Sequence, residues 1–237
     1  GSITQPNCLV TTATIILTSP LGADLEYSID GGTTYLPWVN FPWLAPNATY
    51  SITVRNTTTS CVSAATAFVV NAIPANPTAP TGTLVQPTCS VTTGSYTLTS
   101  PVGADLQYSL DAGTTYQSGL SFPVLTANTI YSLTAYNSVT GCTSAATSLT
   151  INPVLAVPAA ATASTTVQPI CTVPTGTIVV TAPLGATLEY SANGGTTYQA
   201  SATFTGLAPN ASYSIVVRNT VSGCTSVPVS VSVDPLP

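Results

Sequence analysis

The chain has 237 residues, 44% of them hydrophobic and only 4% charged, with a net charge of −5 carried by seven acids against two Arg and no His. The apolar content supports a packed core and argues against disorder, and the lack of clustered cations argues against nucleic acid or an anionic membrane surface as partner. Prolines interrupt every apolar run before it reaches the ~18 residues of a spanning helix, so no membrane insertion is expected.

Along the chain, Gly1-Ser2 reads as a cloning remnant and the sequence as a segment of a longer protein. A first cysteine, Cys8, is followed by a β-prone run from Ala13 to Ser19 in which Ile15 and Leu17 point one way and Thr18 the other. A Pro-x-Gly-Ala break at Pro20 leads into Leu25-Glu26-Tyr27-Ser28. Next comes a turn, Asp30-Gly31-Gly32-Thr33-Thr34-Tyr35, whose glycines accept positive φ. The segment Leu36 to Trp43 follows, then Leu44-Ala45-Pro46 and a strand carrying Tyr50, Ile52 and Val54. The unit closes at Cys61 and a strand with Phe68 and Val70.

This unit is written three times. Cys8 and Cys61, Cys89 and Cys142, and Cys171 and Cys224 are each 53 positions apart (61 − 8, 142 − 89, 224 − 171), so length is fixed inside the repeat. Linkers between repeats differ by one residue, and Ile73 to Pro80 and Pro153 to Thr162 are Pro- and Ala-rich without Gly, hence extended and semi-rigid. The expected domains are residues 1–75, 76–157 and 158–237. Period-two alternation without helical spacing gives an all-β fold: three tandem immunoglobulin- or fibronectin-III-like β-sandwich domains in a rod-like array. Leu44-Ala45-Pro46 before Tyr50 and Leu207-Ala208-Pro209 before Tyr213 have the form of a tyrosine corner.

The Gln-Pro-x-Cys opening, the Tyr-Ser-x-Asp-Gly-Gly-Thr-Thr-Tyr hairpin, the Leu-Ala-Pro-Asn-x-x-Tyr-Ser-Ile corner and the closing Gly-Cys-Thr-Ser together resemble a known family. It is that of the immunoglobulin-like repeats arrayed in large Bacteroidetes cell-surface adhesins, including gliding-adhesin-like arrays. The resemblance covers Gln5 to about Pro235 and implies surface display and adhesion without fixing a ligand.

Regular cysteine pairs with no His and no Cys-x-x-Cys indicate disulfides and an oxidising, extracellular compartment. The favoured pairs are within repeats, Cys8–Cys61, Cys89–Cys142 and Cys171–Cys224, because a repeat that folds alone needs its own staple. That pairing requires an even number of strand passes between partners, since a six-residue strand spans ~20 Å and a disulfide needs Cα atoms within ~7 Å. The rival pairing joins Cys61 to Cys89 and Cys142 to Cys171.

No catalytic residue is expected, because without His or Lys no nucleophile can be matched with a base. No cofactor or metal is expected either: Asp24, Glu26 and Asp30 could cluster in the first repeat, but the cluster dissolves in the others. Trp38 and Trp43 recur in neither sister repeat, where Gly119 and Ser201, then Val124 and Gly206, stand opposite them. They are the candidate ligand-binding residues, for a sugar ring or a protein surface.

The leading expectation is a non-enzymatic structural stalk of an extracellular surface adhesin, with neighbouring repeats as partners. The alternatives are a glycan- or protein-binding module using the first repeat's aromatics, and a self-associating surface filament or sheath subunit, which low charge permits.

Overall fold

The computed structural model describes residues 1–237, and all its regular elements are β-strands. The first repeat runs β1 (Ser2–Thr4), β2 (Ala13–Ile16), β3 (Leu25–Ser28), β4 (Asn40–Leu44), β5 (Ala48–Asn56) and β6 (Thr66–Val70). The second runs β7 (Thr81–Val85), β8 (Thr93–Ser100), β9 (Leu106–Ser109), β10 (Ser121–Thr126), β11 (Thr129–Asn137) and β12 (Thr147–Ile151). The third runs β13 (Thr162–Val167), β14 (Gly176–Ala182), β15 (Leu188–Ser191), β16 (Thr203–Leu207), β17 (Ala211–Asn219) and β18 (Val229–Val233).

Each repeat forms two three-stranded sheets in the same order: β1-β2-β4 with β3-β5-β6, β7-β8-β10 with β9-β11-β12, and β13-β14-β16 with β15-β17-β18. Alternation along the strands puts one face of each sheet inside. In β2, Ala13 and Ile15 are fully buried and Ile16 is exposed; in β14, Ile178 and Val180 are buried. The first core joins Ala13, Ile15, Phe41 and Leu44 from one sheet to Tyr27, Ile52 and Val70 from the other, which makes the pair a β-sandwich. Ile178, Val180 and Phe204 meet Tyr190, Ile215, Val217 and Val233 in the same way. The buried Tyr27, Tyr108 and Tyr190 keep their hydroxyls satisfied by donating to the carbonyls of Pro20, Pro101 and Pro183, at 3.0, 2.7 and 3.0 Å, each proline following a cis peptide bond.

The edges of the sandwich are tied by the opening motif. Gln5 Nε2 donates to the Val69 carbonyl and Gln5 Oε1 accepts from Asn71 N, holding the segment after β1 against the end of β6. Gln86 repeats both bonds with Thr150 and Asn152, and Gln168 accepts from Asp234 N. By packing, the chain divides into two compact units. One comprises Gly1–Thr83, Tyr96–Phe122 and Ile130–Leu149; the other comprises Leu84–Ser95, Pro123–Thr129 and Thr150–Pro237.

Strand direction decides where the cysteines lie. In the first repeat β2 is antiparallel to β4 and β3 to β5, while an isolated antiparallel bridge pairs Tyr27 with Leu36. The chain therefore passes along the sandwich five times between Cys8 and Cys61: β2, β3, the Leu36 segment, β4 and β5. An odd number of passes leaves the two cysteines at opposite poles. The third repeat has the same arrangement, with Tyr190 bridging Gln199.

Candidate functional site

The chemistry of this chain is concentrated in its cysteines, and their pairing differs from both arrangements expected from sequence. Cys8 bonds to Cys142 and Cys89 to Cys224, with Cα atoms 5.0 and 5.5 Å apart, while Cys61 and Cys171 are free and exposed. The favoured pairs Cys8–Cys61, Cys89–Cys142 and Cys171–Cys224 are thus replaced, and so are Cys61–Cys89 and Cys142–Cys171. The physical reason is the odd pass count, which puts the two cysteines of one repeat beyond the reach of a disulfide. Each bridge instead joins the first cysteine of one repeat to the second cysteine of the next, and each lies within one compact unit.

The first junction is built on local hydrogen bonds that hold both loops. Asn7 N donates to the Val10 carbonyl at 2.8 Å, folding the Cys8 loop, and Cys8 N donates to the Thr140 carbonyl at 3.1 Å across the junction. On the receiving side Asn137 N donates to the Cys142 carbonyl at 2.8 Å, and Gly141 sits at φ 68°. A Cβ at Gly141 would come within 3.0 Å of Leu9 Cγ, so this glycine is required by close approach as well as by backbone conformation. Cys142 is fully buried, and Cys224 at the second junction is 1% exposed. Disulfides of this kind belong to an oxidising compartment.

The charged residues are mostly committed to structure. Glu26 pairs with Arg55 and Glu189 with Arg218 across adjacent strands, at 2.6 and 2.5 Å. Each guanidinium also lies over a tyrosine ring, Tyr35 at 4.1 Å and Tyr198 at 3.9 Å. The second repeat exchanges the ion pair for Gln107 opposite Tyr136, and Tyr136 packs on Tyr116 with centroids 5.1 Å apart. Sequence reasoning only counted these arginines. Their signal was their shared repeat position, 55 and 218, with Glu opposite both.

The Asp-Gly-Gly turn is held by its first residue. Ser28 Oγ donates to Asp30 Oδ1 at 2.6 Å, Thr33 N and Thr34 N donate to the same carboxylate, and Gly32 N donates to Ser28 Oγ at 2.8 Å. Asp111 repeats the pattern, and donors from Ser28 and Ser109, then from Thr34 and Thr115, hold both carboxyls well below the usual aspartate range. Asn193 makes the neutral version, accepting from Ser191 Oγ and Thr197 N and donating from Nδ2 to Thr197 Oγ1. Asp24, Glu26 and Asp30 therefore do not converge: Glu26 faces Arg55 and Asp30 faces its own turn.

The tyrosine corners form as the sequence suggests. Tyr50 Oη accepts from Ala45 N at 2.8 Å and Tyr213 Oη from Ala208 N at 2.7 Å.

Trp38 and Trp43 lie outside the first core cluster, and Trp43 is 82% exposed. Trp43 sits in β4 at a bulge, where Phe41 and Leu44, three apart, oppose Ile15 and Ala13, two apart. Its φ is 58°; at the same bulge in the third repeat the residue is Gly206, with φ 71°. A tryptophan thus occupies a backbone position suited to glycine while its ring faces solvent.

No family model matches the sequence, and no curated protein matches it. Solved structures that match the chain include the FN1–FN3 domains of chicken CNTN1, at 13% identity and TM-score 0.31, covering 99% of this chain and 98% of that one. Domains 7, 8 and 9 of the S-layer protein SbsC match at 12% identity and TM-score 0.28, covering 90% of this chain and 79% of that one. At these values the fold rests on the strand order and the cores described above.

Proposed function

We propose that this chain is a non-enzymatic structural module of an extracellular surface protein, a stalk whose repeats at 1–75, 76–157 and 158–237 hold another region away from the cell. The observation that carries this reading is the pairing of Cys8 with Cys142 and Cys89 with Cys224, which ties each repeat to the next. Because the two closed loops overlap, tension applied at the ends follows a short path. It runs from Gly1 to Cys8, across to Cys142, back to Cys89, across to Cys224 and on to Pro237. About a third of the residues then set the fully extended length, at ~3.6 Å each. A tether built this way keeps its reach even when its sandwiches unfold.

Single-molecule stretching from the two termini tests this. The oxidised chain should extend after unfolding to about a third of the length reached by the reduced chain, as the connectivity requires. Equal lengths would remove the observation on which the stalk reading stands. Immunolabelling of intact source cells tests the location, and labelling only after lysis would overturn it.

A second reading is favoured by Trp43. An exposed indole held at positive φ, where Gly206 serves in the third repeat, is costly unless the ring has a use, and aromatic rings suit a sugar face or a protein partner. In this reading the first repeat binds glycan or protein through Trp38 and Trp43. A Trp38→Ala, Trp43→Ala variant that folds normally should lose glycan-array or cell-surface binding. Undiminished binding would end this reading and leave the stalk untouched.

A further inference from the structure

We infer that Cys171 and Cys61 are the two open halves of a third junction of the same design, and that a second copy of this chain can close it head to tail, Cys171 of one copy bonding to Cys61 of the next. This goes beyond the stalk reading and does not depend on it.

The pairing rule is realised twice in the chain: a first cysteine of one repeat bonds the second cysteine of the following repeat. Cys171 is a first cysteine without a partner and Cys61 is a second cysteine without one. They are therefore complementary, and like cysteines are not paired anywhere in the structure.

Both open halves keep the main backbone bonds of the occupied ones, although the Cys171 loop adds a return bond from Val173 N to the Ile170 carbonyl at 3.0 Å, where Val10 N and Val91 N donate instead to the side chains of Asn7 and Thr88. Ile170 N donates to the Val173 carbonyl at 2.9 Å, as Asn7 N does to Val10 and Thr88 N to Val91, each at 2.8 Å. On the receiving side Asn56 N donates to the Cys61 carbonyl and Ser60 N to the Asn56 carbonyl, matching Asn137 with Cys142 and Gly141, and Asn219 with Cys224 and Gly223. On the receiving side the difference is cover. Cys142 and Cys224 are buried where a first-cysteine loop sits on them, whereas Cys61 is exposed.

One substitution in the receiving loop is accommodated by the incoming one. Ser60 stands where Gly141 and Gly223 stand, and keeps the same left-handed backbone at φ 60°. A side chain at Gly141 would crowd Leu9, the residue after Cys8. The residue after Cys89 is Ser90, and there a Cβ at Gly223 would meet nothing within 4 Å. Thr172 follows Cys171, so the Cys171 loop would bring a polar residue, as the Cys89 loop brings Ser90, rather than a Leu to face Ser60.

Closure converts two thiols into one disulfide and releases two electrons and two protons. A disulfide oxidant of the glutathione type accepts them and becomes two thiols. Inside the chain the linker supplies a high effective concentration at each junction, and between copies protein concentration must supply it. The relation is heterologous, so it adds copies head to tail, as an open chain unless the rotation per step closes a ring.

The test is a non-reducing gel of the concentrated chain, both internal bridges intact, incubated with oxidised glutathione. The wild type should give a ladder of multimers that collapses on reduction. Cys61→Ser alone and Cys171→Ser alone should remain monomeric, and an equimolar mixture of the two should stop at the dimer, with a Cys171–Cys61 peptide found by mass spectrometry. Thiol counting on the denatured variants should find one free thiol in each, which shows that the four paired cysteines are undisturbed. A monomeric wild type would overturn the proposal, as would single variants that dimerise as readily as the mixture, or peptides joining Cys61 to Cys61 or Cys171 to Cys171.

Discussion

At the residue scale, the three repeats act as internal controls for one another. Thr53, Thr134 and Val216 occupy one buried position. Thr53 Oγ1 is bonded to Tyr35 Oη at 3.3 Å, whereas Thr134 Oγ1 is buried with no partner. An unsatisfied buried hydroxyl costs about 1–3 kcal/mol, so Thr134→Val should raise stability by about 1 kcal/mol, and Thr53→Val should not. Denaturant midpoints at unchanged slope would show this; a destabilised Thr134→Val would contradict it. The turn acids give a second comparison. With their folded pKa depressed, Asp30 and Asp111 add stability that is complete above the ordinary aspartate range and is lost as pH falls through the lower folded value. Asn193 has no such dependence. Amide exchange at Thr34 and Thr115 should therefore accelerate relative to Thr197 in strong acid, and parallel behaviour at all three would refute the assignment.

At the element scale, the bulge in β4 separates packing from side-chain display. Phe41 and Leu44 are anchored in the core on either side of it, while Trp43 points out. Phe41→Ala should cost about 3–5 kcal/mol, as for other buried aromatics. Trp43→Gly should shift stability by less than about 1 kcal/mol, because relief of the positive φ offsets the extra freedom glycine gains when unfolded. A loss comparable to that of Phe41→Ala would show that Trp43 is a packing residue after all. The strands themselves are legible in the sequence: alternation marks Ile15 and Leu17, which are buried, as are Tyr96, Leu98, Ile178 and Val180 at the matching positions of the other repeats. The tyrosine corner was legible too, since Leu-Ala-Pro before Tyr fixes a hydrogen bond within five residues. The segment at Leu36 was not, because a pass made by one isolated bridge has no periodicity to read. That single pass makes the count odd, and with it the expected disulfides became impossible.

At the scale of the whole molecule, the cysteine spacing of 53 shows that a unit recurs but is silent on connectivity, which depends on how the chain crosses each sandwich between its cysteines. The bridges found instead close loops with sequence separations of 134 and 135, and the loops overlap between Cys89 and Cys142. In the chain-entropy account a loop of that size contributes about 4–5 kcal/mol, and the overlap makes the two contributions non-additive. Repeats joined this way are stabilised by their neighbours more than by their own cysteines. The cross-repeat pairing is tested by mass-spectrometric mapping of chymotryptic peptides from the unreduced monomer, prepared with thiols blocked before digestion. Cys8 should be linked to Cys142 and Cys89 to Cys224, with blocked thiols at Cys61 and Cys171. A Cys8–Cys61 or Cys171–Cys224 peptide as the main species would contradict it.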